Sequence, residues 1–120
     1  MTGLNEYDRV WTAQVGTTVR RRTGLSTDRG SVTQFVVQLE YRHDGEWRPV
    51  VRYDHDGHDV SEEGLHIDIY RHGEKHATEY ITAPLPAGVA LDAAEDHLAE
   101  NLERFLKRYE RWHEIRRESQ

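Results

Sequence analysis

The sequence contains no cysteine, which excludes disulfides, thiolate nucleophiles and thiolate metal sites. Any metal would have to be held by histidine and carboxylate ligands. No apolar run approaches the roughly 20 residues that span a bilayer, and "MTGLNEYDRVW" lacks the basic-then-apolar order of a secretory signal. The expectation is a cytoplasmic protein with no membrane partner. Gly-rich phosphate loops, nucleophile elbows and dinucleotide fingerprints are also missing, which sets aside the enzyme classes built on them. Lysine occurs only at Lys75 and Lys107, so arginine carries most of the positive charge, as in high-GC prokaryotes.

What is present suits one small α+β domain. At 120 residues the chain has room for a single modest core, and its net charge of −6 argues against a generally basic nucleic-acid binder. The charge is unevenly spread. Residues 54–63 hold five acids and no lysine or arginine, whereas Arg20, Arg21 and Arg22 form a basic run. Such a run reads first as a solvated strand, and second as a cradle for a phosphate or an acidic partner.

"VTQFVVQLEYRHDGEWRPVVRYD" alternates on both sides of a turn signal. A two-residue Asp44-Gly45 loop would put the apolar rows of its two arms on opposite faces. A three-residue loop His43-Asp44-Gly45 pairs Tyr41 with Trp47, Val37 with Val51 and Phe35 with Tyr53, and sets Glu40 opposite Arg48 and Arg42 opposite Glu46. That register is the one the pattern favours. Leu65, Ile67 and Ile69 begin a second hairpin, turned by His72-Gly73-Glu74-Lys75, with Ile67 opposite Tyr80 and Ile69 opposite Thr78. One or two further strands are expected between Arg9 and Thr23, followed by a turn at "TDRGS". The sheet therefore runs over about residues 9–82 with about five antiparallel strands.

After a connector at 83–91, Asp92 and Glu95 are a plausible capping pair for a long C-terminal helix over about 92–117. Ala94, Leu98, Leu102, Phe105, Tyr109 and Trp112 make its apolar stripe. At roughly 39 Å it is longer than a small sheet is wide. Its last turns are expected to project or to meet a partner, the simplest partner being a second copy through Trp112. His97 and His113 read as surface residues of this helix.

On that architecture Arg52 and Asp54 share the face away from the helix with His66, Asp68 and Tyr70, while His55, His58 and Asp59 sit on the joining loop. An imidazole, a carboxylate to orient it and an arginine are the parts of metal-free phosphodiester chemistry. His66 would be the acid or base, Asp54 or Asp68 its partner, and Arg52 the phosphate clamp. Exposed polar residues are also the ordinary outcome for an antiparallel sheet. A divalent metal held by His55, His58, His66, Asp54 and Asp59 is the less favoured alternative. No H-E-x-x-H spacing occurs, and the glycine of "DHDGHDVSEEG" falls at the wrong position for a calcium loop.

The order "YRHDGEW", "VVRYDHDGH", "GLHID" and a final amphipathic helix resembles the TumE-type toxins of prokaryotic type II toxin-antitoxin pairs. The likeness covers roughly residues 35–110 and is carried by Arg52-Tyr53-Asp54 and the histidines after it, with His55 where the family commonly has asparagine. The resemblance implies a toxin role, an antitoxin partner, and Arg52, Asp54, His58 and His66 as site residues; the chemistry of the Arg52, Asp54 and His66 face makes RNA or nucleotides the expected targets. The competing expectation is a non-catalytic interaction module that docks through the long helix and the open sheet face.

Overall fold

In the computed structural model, which describes residues 6–55 and 64–116, an antiparallel meander of six strands packs against one long helix. The strands are β1 (Arg9–Gln14), β2 (Val19–Asp28), β3 (Ser31–His43), β4 (Glu46–His55), β5 (His66–Arg71) and β6 (Glu74–Tyr80), and their order in the sheet is their order in the chain. The helix α1 spans Ala87–Trp112 and lies over β3 and β4. This is the expected α+β architecture, with one more strand than anticipated.

Both hairpin registers differ from expectation, for one physical reason. Asp44 and Gly45 both take positive φ (54° and 78°), the left-handed pair that closes a two-residue loop and matches the twist of the flanking strands. His72 and Gly73 do the same at 53° and 79°. His43 therefore pairs with Glu46, Arg42 with Trp47 and Tyr41 with Arg48. The apolar row is restored by a bulge: Glu40 faces Pro49 and Leu39 faces Val51, leaving Val50 as the extra residue. Pro49 has no N–H to give the ladder, so the irregularity falls where pairing is weakest. Beyond it Val37 faces Tyr53 and Phe35 faces His55, not the pairs expected. Trp47 accordingly leaves the helix side and lies under the Arg20 guanidinium, 4.2 Å from its ring centre. Glu40 is bridged by Arg20 at 2.6 Å rather than by Arg48, and Glu46 by Arg48 rather than by Arg42.

In the second hairpin a shift after Ile69 pairs Ile69 with Ala77, Ile67 with Glu79 and His66 with Tyr80. Tyr80 thus leaves the core row and joins the face that carries His66.

The core lies between the odd-numbered row of the sheet and α1. Phe35, Val37, Leu39, Tyr41, Val51, Tyr53, Ile67 and Ile69 meet Ala90, Ala94, Leu98, Phe105, Leu106 and Tyr109. The helix starts five residues before the expected Asp92, directly after Pro86, and no side chain caps it. Pro86 sits at the N-cap position with extended ψ (151°), its carbonyl accepts the first helical N–H, from Ala90, and its missing N–H removes one of the donors that the start of a helix leaves unpaired.

The end of α1 is pinned to the sheet rather than projecting. Tyr109 is buried, and Trp112 lies against His76 and below Arg71 and Arg108. Nor do His97 and His113 point to solvent. His97 Nδ1 is 2.8 Å from the Tyr53 hydroxyl, while His113 stacks on Tyr109 and its Nε2 accepts the His72 backbone N–H at 2.9 Å. Trp112, through which a second copy was expected to dock, is partly buried against the core of its own chain.

Candidate functional site

Strand register builds the site across the middle of the sheet, on the side away from α1. Gln38, Arg52, Asp68 and Thr78 lie directly opposite one another on β3 to β6, and Asp54, His66 and Tyr80 occupy the next row. Directly opposed residues share a face, so this row places Arg52, Asp54, His66 and Asp68 together as the alternation anticipated. His58, the fifth anticipated residue, lies outside the described residues, as does Asp59.

The contacts assign unequal roles. Arg52 donates Nε to Asp54 Oδ2 at 3.0 Å and Nη1 to Gln38 Oε1 at 3.3 Å, with its side chain only 4% exposed. It is a buried brace for Asp54, not the solvent-facing phosphate clamp that was expected. The other Asp54 oxygen, Oδ1, is 3.5 Å from His66 Nε2. That nitrogen is also 3.8 Å from Asp68 Oδ1, and Asp68 is buried between the Thr78 hydroxyl, which donates at 2.7 Å, and Lys75 Nζ at 3.4 Å.

These neighbours set the protonation states. The hydrogen bond with Asp54 raises the His66 pKa; burial opposes it, and the charges of Asp54 and Asp68 add to the rise. Burial pushes Asp54 up, but the bond from His66 and the charge and bond of Arg52 outweigh it, and its carboxyl stays below the usual range. The pair therefore favours an imidazolium held by a carboxylate. With its side chain 24% exposed, His66 retains access to solvent.

Asp54, His66 and Asp68 each offer a ligand atom within 4.8 Å of the others, a donor set of two carboxylates and an imidazole. Arg52 and Lys75 already pair with those carboxylates, so a cation would enter against one buried positive charge and one exposed one.

A family model described as a domain of unknown function, DUF7718, matches residues 3–115. The chain belongs to the DUF7718 family. No curated protein and no solved structure gives a significant match.

Besides Gln38, Thr78 and Lys75, two further residues of this DUF7718 chain join the face without having been singled out as part of the site. Arg22 stands opposite Gln38 in the row of Arg52, half-buried, with no ion pair among the described residues and its Nε unbonded. The basic run pointed to it, but strand alternation was needed to separate it from Arg21, which turns to Glu95 of α1. Tyr80 is 59% exposed, with its ring centre 5.7 Å from that of His66. The expected register put Tyr80 on the core side, and one residue of slip reverses the face of every side chain.

Proposed function

We propose that this protein is a toxin-like, RNA-acting enzyme of the cytoplasm, in which His66 performs acid–base chemistry and an antitoxin holds the site inactive. The observation that carries the reading is the relay from Arg52 through Asp54 to His66. A buried guanidinium fixes one carboxylate oxygen, the other oxygen fixes the imidazole, and the imidazole keeps a path to solvent. An imidazolium at neutral pH can protonate the 5′ oxygen of a phosphodiester as that P–O bond breaks. The attacking oxygen is then the RNA's own 2′-hydroxyl, which forms the new bond to phosphorus and gives its proton to solvent. RNA suits this reading because its substrate carries the nucleophile.

Arg22, rather than Arg52, is the cation available for the phosphate backbone, and exposed Tyr80 beside His66 offers a ring on which an unstacked base can lie. The resemblance of Arg52-Tyr53-Asp54 and its following histidines to TumE-type toxins supports the toxin role and the antitoxin partner.

The test is induced expression of the wild type and His66→Gln in cells, with both checked for solubility and far-UV circular dichroism, followed by assay of the purified proteins on single-stranded RNA with and without EDTA. Growth arrest and EDTA-resistant cleavage by the wild type alone are expected. Equal arrest by folded His66→Gln removes the catalytic assignment. Cleavage abolished by EDTA would transfer Asp54, His66 and Asp68 to a metal-dependent mechanism.

A further inference from the structure

Among the described residues, strand β1 closes one side of the sheet, with β2 its partner on the inner edge. All of its residues but Ala13 are exposed. Val10 (38% exposed), Trp11 (40%) and Val15 (43%) are three of the five large apolar side chains exposed among the described residues, gathered within six positions. The outer edge of a strand offers a row of backbone donors and acceptors, and proteins usually guard such edges with charges, prolines or bulges. β1 has no proline, its register with β2 is unbroken, and its one charge is Arg9. The opposite edge is guarded. β6 carries Glu74, Lys75 and Glu79, and its register with β5 is broken beside Tyr70.

This asymmetry selects the partner. Pairing of β1 with the β6 of another copy would be head-to-tail, would meet the guarded edge, and would leave a free edge at each end to propagate a filament. Pairing of β1 with itself uses only the unguarded edge and closes after two copies. We infer that β1 of one copy adds antiparallel to β1 of a second, joining two six-stranded sheets across a two-fold axis perpendicular to them.

That axis keeps both helices on one face. Registers centred on Val10 or Trp11 set Arg9 opposite Trp11 or Ala13, so no like charges are brought directly opposite each other. Trp11 points to the helix side of the sheet but lies two strands from β3, the nearest strand under α1; the Arg9 guanidinium lies 5.8 Å from its ring centre and the residue is still 40% exposed, an apolar surface that a second copy would cover. His66 lies on β5, far from this edge, so each copy keeps its candidate site open.

Sedimentation equilibrium of the full chain from about 1 to 200 µM tests the inference, together with hydrogen exchange at both ends of that range. The wild type is expected to reach dimer mass, with amides in 9–14 exchanging more slowly at high concentration. Val10→Lys and Thr12→Pro are expected to keep their circular dichroism and to weaken dimerisation at least tenfold. A wild type that stays monomeric overturns the inference, as does a dimer unaffected by Val10→Lys or protected elsewhere. Val10→Lys changes one exposed side chain, so it decides the matter even where Thr12→Pro disturbs folding.

Discussion

Arg52 and Asp54 stand two residues apart on β4, so their side chains share one face, and the Arg52 Nε meets Asp54 Oδ2 at 3.0 Å. The same alternation that makes β4 a strand makes this pair. Replacing Arg52 by methionine keeps much of the volume but removes the positive charge from beside a carboxylate. A fully buried pair broken this way loses roughly 3–5 kcal/mol; Asp54 is 30% exposed, which reduces the expected loss to about 2–3 kcal/mol. Urea denaturation of Arg52→Met measures it, and a change under 0.5 kcal/mol would show that the brace carries no stability.

The His66–Asp54 contact has a pH signature. The folded pKa of His66 is raised, so the contact's stabilisation is fully present below the unfolded value of about 6.5 and is lost as pH rises through the folded value. Asp54, held below its usual range, stays ionised throughout this window. The melting-temperature advantage of wild type over His66→Gln is therefore expected to be greatest between about pH 5 and 6.5 and to shrink towards pH 9. An advantage that grows with pH contradicts the assignment.

His113 has the opposite sign. Burial, then the positive neighbours His72, His43 and Arg71, lower its pKa against the bond to the Tyr109 carbonyl. Its Nε2 accepts the His72 N–H, a bond only the neutral ring can make. The stability it confers is present above about pH 6.5 and is lost as pH falls through its depressed value. His113→Gln is expected to flatten the acid side of the stability profile between about pH 6.5 and 5. A profile as steep as the wild type's rules out this role.

Gly64, at the entry to β5, has φ of +83°, and a Cβ there would lie 2.0 Å from the Thr82 carbonyl oxygen. Neither the backbone angle nor the space admits a side chain. Gly64→Ala is expected to destabilise by about 2–4 kcal/mol in chemical denaturation. A loss under 1 kcal/mol would mean that the chain entering β5 adjusts freely.

The helix ends with Glu114 at φ 54°, the Ile115 N–H bonded to the Glu110 carbonyl and the Glu114 N–H to that of Arg111. That is the pattern which normally places glycine at Glu114's position, and a non-glycine residue there is strained. Glu114→Gly is expected to stabilise by roughly 0.5–1 kcal/mol, visible as a raised melting temperature. A fall would show that the Glu114 side chain contributes more than its backbone costs.

Alternation along "VTQFVVQLEYR" and "LHIDI", and the stripe from Ala94 to Trp112, determined the fold class and drew Arg52, Asp54, His66 and Asp68 to one face, because side-chain direction follows from periods of 2 and 3.6. Periodicity is local, and so is what it can settle. The bulges at Val50 and after Ile69, the reversal of Trp47 and Tyr80, and the start of the helix at Ala87 were decided by the tertiary structure. Left-handed two-residue turns set one register at each hairpin tip while burial under α1 demands another further along, and only a bulge reconciles them. The same holds for Arg52, which the pattern places on the open face but which packing buries as a brace. Alternation gives a side chain its direction; its neighbours decide whether water reaches it.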